Sequence, residues 1–120
     1  MRKLEDILHS CSDALFPADM GRRAVQIHSV DCDGDTPLHV IVRRRDISGA
    51  KILIEAGAKV NAIGDMGETP LHIAVQKELA PIIEALLAAG ANPDLRSEFG
   101  ETPRERAAKI GGAIHRAFKQ

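Results

Sequence analysis

The chain has 120 residues, a length that suits one domain with a real core and is too short for two. Its 3 Phe are its only aromatic residues, so the core must be built from Leu, Ile, Val and Ala. A formal net charge of -1 excludes global attraction to nucleic acid or an anionic membrane surface, and 2 cysteines are too few for a disulfide scaffold.

The first segment places Leu4, Ile7, Leu8, Cys11 and Leu15 at helical spacing, with Phe16-Pro17 expected to close the helix. Glu5 and Asp6 interrupt the unbroken apolar run that a signal peptide needs, and they equally oppose a lipoprotein box at Leu8-His-Ser-Cys11. Further on, Gly34-Asp-Thr-Pro-Leu-His39 recurs as Gly67-Glu-Thr-Pro-Leu-His72 and again as Gly100-Glu-Thr-Pro-Arg-Glu105. A second string keeps the same period: Gly57-Ala-Lys-Val-Asn-Ala62 is answered by Gly90-Ala-Asn-Pro-Asp-Leu95, and Ala24 to Ser29 fills that slot in degenerate form. Two motifs locked to one period define a repeat.

Each motif has a physical reading. Thr36 and Thr69 suit an N-cap, and Pro37 and Pro70 suit the first helical position, where no N–H is needed. Leu38, Ile41 and Val42 then form one buried stripe, and Leu71, Ala74 and Val75 the next. A second helix follows in each unit, with Ile52, Leu53 and Ile54, then Ile82, Ile83, Leu86 and Leu87. Gly57 and Gly90 fall just past its end, where the chain turns through positive φ. The stretch from Ala80 to Ala91 is the most apolar, but Glu84 interrupts it and it is too short to span a bilayer. Such units cannot bury their faces alone and must stack on one another.

Gly-x-Thr-Pro-Leu-His together with Gly-Ala-x-Val-Asn resembles the ankyrin repeat, specifically over residues 31–96 and recognisably to about residue 110. The resemblance implies an all-α solenoid of stacked helix–turn–helix layers, with loops or β-turn fingers projecting on one side. It also implies a module that binds proteins and rarely catalyses. The layers expected are an N-terminal cap at 1–33, repeats at 34–66 and 67–99, and a C-terminal cap at 100–120. Where the family has a Gly-His pair between its helices, this chain has Arg45-Asp46 and Glu78-Leu79, and only Gly111 keeps the glycine. Those two turns are therefore expected to be altered or strained. Gly49 should weaken its helix, which would leave 67–99 the better packed repeat. In the last copy Arg104, Glu105, Arg106, Lys109, Arg116 and Lys119 should face outward, with Ala107, Ala108, Ile110, Ile114, Ala117 and Phe118 inward.

Catalytic signatures are absent from the sequence. His39 and His72 lie within the repeat motif and are expected to tie the loop to the helix start, while His9, His28 and His115 show no metal-ligand spacing. No phosphate loop, nucleophile elbow or His-Glu-x-x-His occurs. Asp31, Asp33 and Asp35 alternate as in a calcium loop but lack the downstream Glu. No enzyme activity, cofactor or metal is expected.

The resemblance directs attention to the loop tips and the exposed side of each first helix. The candidate tip residues are Cys32, Asp33 and Asp35, then Asp65, Met66 and Glu68, then Glu98, Phe99 and Glu101. On the helix side the candidates are Arg43, Arg44, Gln76, Lys77 and Lys109. The run Arg43-Arg44-Arg45 reads either as a solvated helix end or as a patch facing a partner. Met66 and Phe99 are apolar at equivalent places, fit either to anchor a partner or to tuck against a neighbouring loop. The expected function is protein–protein interaction in the cytoplasm, with a partner protein of basic surface. The first alternative is a dedicated inhibitor, such as an immunity protein of a bacterial toxin or effector enzyme, and the last is a ligand-binding protein or enzyme.

Overall fold

The computed structural model describes residues 3–15 and 25–118. Helices α1 (Leu4–Ser10) and α2 (Ser12–Leu15) come first. They are followed by the pairs α3 (Pro37–Arg43) with α4 (Ile47–Glu55) and α5 (Pro70–Gln76) with α6 (Ala80–Ala88), then α7 (Pro103–Ile110) with α8 (Gly112–Arg116). Among the described residues no strand forms. The three first helices stack in a row, α3 on α5 on α7, and α4 packs on α6 behind them. At the N-terminal end α1 lies against α4 and α2 against α3. Phe16, Pro17 and Ala24, to which the sequence assigns a closing turn and a degenerate loop start, lie outside the described residues.

Helix starts follow the repeat motif. Thr36, Thr69 and Thr102 each accept the N–H three residues on, with Pro at the first helical position, and all three close a capping box. The predicted stripes of α3 and α5 are buried from Pro to Val in both helices. At the turns between paired helices, Arg45 and Glu78 take φ of 60° and 57°, and Gly111 takes 75° at the equivalent place. The strain expected at those turns is therefore present, at about 1–2 kcal/mol for each non-Gly residue.

Gly49 does lie within α4, but it has a local purpose. Its N–H donates to Asp46 Oδ1 at 3.0 Å, and a Cβ there would collide with the same carboxylate. Asp46 thereby serves as N-cap of α4, which α6 lacks, since Leu79 makes no side-chain cap.

The C-terminal layer departs from expectation in two ways. Ala108 and Ile110 face solvent instead of the core, whereas Ala107, Ile114 and Phe118 are buried. Arg106, expected outside, is turned inward with only 15% of its side chain exposed.

Candidate functional site

The first-helix row and the three projecting fingers are joined by histidine. The His39 ring accepts the Thr36 N–H at Nδ1 (3.0 Å), which leaves Nε2 as the donor to the Glu68 carbonyl (3.0 Å). His72 repeats the arrangement with Thr69 and the Glu101 carbonyl. Each imidazole thus caps its own helix and holds the finger of the next layer. Burial holds both rings below the ordinary histidine pKa, against the hydrogen bonds that favour the charged form. Gly64 is required at this joint, because a Cβ would strike the Asp35 carboxylate and the His39 ring. In the last copy Glu105 replaces His. Its Oε1 takes the Thr102 N–H and the Arg96 guanidinium, so the capping box closes on the finger before its helix and not on one beyond it.

Two backbone bonds recur in every finger: the N–H groups of Asp31, Gly64 and Ser97 donate to the carbonyls of Asp35, Glu68 and Glu101, and those of Gly34, Gly67 and Gly100 donate back to the carbonyls of Asp31, Gly64 and Ser97. The first finger is further ordered by Asp31 Oδ1, which accepts the N–H groups of Asp33 and Asp35. Its neighbour is tied to it through the Asp65 N–H, which donates to Asp35 Oδ1 at 3.0 Å. The second and third are zipped by the Glu98 N–H, which donates to the Met66 carbonyl at 3.0 Å.

Several candidates are not free for a partner. Asp35 and Glu68 were expected at the exposed tips; they are 6% and 5% exposed and buried beneath them. The cause is charge pairing. Arg43 donates to both Asp35 oxygens, the shorter contact being 2.6 Å. Burial opposes the Asp35 charge, but the bonds from Arg43 and the Asp65 amide outweigh it and hold the carboxyl below its usual pKa. Glu68 receives Arg106 at 3.0 Å, and the same guanidinium reaches Glu101 at 2.6 Å and the His72 carbonyl at 3.2 Å. Lys109 closes the other oxygen of Glu101 at 2.7 Å. Bonds from Lys109 and Arg106 bring the Glu101 pKa down to about 2.

The helix-side candidates divide similarly. Arg44 donates to the Ser10 hydroxyl and carbonyl and so clamps α1 instead of facing outward alone. Gln76 is exposed and accepts from Arg106 at 3.4 Å, and the half-buried Lys77 is the C-cap of α5. Cys32, Asp33, Glu98 and Phe99 are exposed at the tips, with Asp65 half-buried. Met66 is 42% exposed and Phe99 71%, so neither is tucked away. Met66 also sits at φ 61°, whereas its counterparts Asp33 and Phe99 have no positive φ. Beside Phe99 an open depression of about 430 Å³ is lined by Glu101, Glu105, Arg106 and Lys109. No group of acids, His and Cys among the described residues could hold a metal ion.

Two features were missed in the sequence. Arg106 is the centre of the ion-pair network, yet it occupies a slot held by Val40 and Ile73 in the other layers, so the repeat gave no signal. Ile63 and Val30 are exposed at 60% and 54%. They occupy equivalent positions 33 residues apart in the fingers, a regularity the period could have revealed.

Residues 7–111 match the family described as Ankyrin repeats (3 copies), which is most of the chain. The chain belongs to the ankyrin-repeat family. Ankyrin repeats are generally protein–protein interaction modules and are typically non-catalytic. A comparison with curated proteins finds no match. No helix among the described residues is long and apolar enough to cross a membrane.

Proposed function

We propose that this ankyrin-repeat chain is a non-catalytic binding module that docks a partner protein on its finger tips. The observation that carries the proposal is a division of labour among the candidate residues. Asp35, Glu68, Glu101, Arg43, Arg106 and Lys109 satisfy one another along the first helices, while Cys32, Asp33, Asp65, Met66, Glu98 and Phe99 are displayed beyond them. A large apolar side chain inside a polar rim is the usual form of a binding hot spot. The layer division 1–33, 34–66, 67–99 and 100–120 belongs to the same proposal, as does a reducing cytoplasmic setting in which the exposed Cys32 thiol persists. An inhibitor that covers a basic active site is a special case, distinguished by whether the partner's activity falls on binding.

Affinity capture from the native host, with mass spectrometry, tests the docking face. The wild-type chain should retain a partner that the double variant Met66→Ala, Phe99→Ala loses. Equal retention by both chains would show that the tips are not the docking surface.

A further inference from the structure

The second and third fingers expose Ile63, Met66 and Phe99, at 60%, 42% and 71%. They are neighbours: Ile63 and Met66 share one finger, and the Met66 carbonyl holds the amide of Glu98, adjacent to Phe99. The apolar side chains are therefore mounted on a backbone already locked by hydrogen bonds, which lowers the entropy cost of docking. Met66 holds a left-handed conformation that Gly would adopt without strain. A bulky side chain kept in such a place, exposed and packing into no core, points to use at the surface.

Charge decides what would dock there. Asp33, Asp65 and Glu98 accompany the apolar row, and none forms an ion pair among the described residues. The nearby cations each have another acid as partner: Arg43 pairs with Asp35, Arg96 with Glu105, and Arg106 and Lys109 with Glu101. The row therefore presents apolar area beside three acids that make no ion pair of their own among the described residues.

Resting on the docking face proposed above, we infer that the occupant is a cationic amphipathic segment of the partner protein. Its apolar stripe covers Ile63, Met66 and Phe99, and its Lys or Arg side chains meet Asp33, Asp65 and Glu98. The acids steer and orient the segment while the apolar contact holds it.

Three synthetic amphipathic peptides test this by amide NMR on the full chain: one of Leu and Lys, one of Leu and Glu, and one of Ser and Lys. The Leu/Lys peptide should shift the amides around Met66 and Phe99, and its binding should weaken as salt rises. Binding should fall about tenfold in Phe99→Ala and in Met66→Gly. Met66→Gly should keep or raise the urea midpoint, so its loss of binding cannot be unfolding. Equal binding of the Leu/Glu or Ser/Lys peptide, or a Leu/Lys peptide that leaves the tips unshifted, would overturn the inference. A partner captured through the tips alongside an indifferent peptide panel would leave the docking face standing and remove only the cationic segment.

Discussion

Repeats 34–66 and 67–99 share one backbone plan yet solve two problems differently. The first is volume. In the second helix, Gly49 and Ala50 stand where the next layer has Ile82 and Ile83, all four buried, with Leu53 and Leu86 matched beyond them. The earlier layer makes up part of the difference with the Asp46 cap that its neighbour lacks. The second is the source of the cation under the finger. Asp35 finds Arg43 within its own layer, but the matching residue to Arg43 is the uncharged Gln76, so Glu68 must take Arg106 from the layer beyond. One slot of a repeat can thus be satisfied locally or across a junction, and the second choice couples neighbouring layers.

The largest expected effect comes from making the two second helices alike. Ile83→Ala should cost about 3 kcal/mol in urea unfolding, because a fully buried side chain leaves a cavity. If it cost well under about 1 kcal/mol, volume would not distinguish the repeats.

Close behind it, Arg106→Ala should lose about 3 kcal/mol by stranding buried Glu68 and unfastening the last layer. Arg43→Ala should lose about half as much, since Arg43 keeps 35% of its side chain in water. Adding Gln76→Lys to Arg106→Ala should restore part of the loss by giving Glu68 a cation of its own layer. No recovery would mean that Arg106 acts by packing and by its bond to the His72 carbonyl.

A smaller effect should appear with pH. The folded pKa of His39 and His72 lies below the unfolded value of about 6.5, so protons favour the unfolded chain. Their contribution is complete above that value and is lost as pH falls from it through the folded pKa. Below the model-compound carboxylate values of 3.8 for Asp35 and 4.5 for Glu101, protonation of these paired acids removes more. The urea midpoint should fall across the histidine window, and the fall should flatten in His39→Gln, His72→Gln, which keeps a capping-box side chain without the titration. An unchanged slope would place the acid sensitivity elsewhere.

The smallest effect tests the strained turns common to both repeats. Arg45→Gly and Glu78→Gly should each stabilise by up to about 1 kcal/mol, because relief of the left-handed conformation exceeds the added chain entropy. Loss of stability in either would show that the side chain contributes more than its conformation costs.

The opening motif determined much by itself. Gly-x-Thr-Pro-Leu-His at a fixed period places Thr at the N-cap, Pro at the first helical turn, Leu in the core and His between layers, because each demand is local. The same logic exposed the strained turns at Arg45 and Glu78, where only a glycine would have been free of strain. Met66 and Phe99 were legible as finger residues, though their exposure was not. What only the tertiary structure decided was which charges are spent. Asp35 and Glu68 look like surface acids in sequence, and Arg106 looks like a solvated cap residue. Stacking brings residues 38 positions apart into contact, as between Glu68 and Arg106, burying the acid and most of the guanidinium side chain. A pairing at that separation has no local signature, so the fold could be read along the chain while the free face of the candidate site could be read only across it.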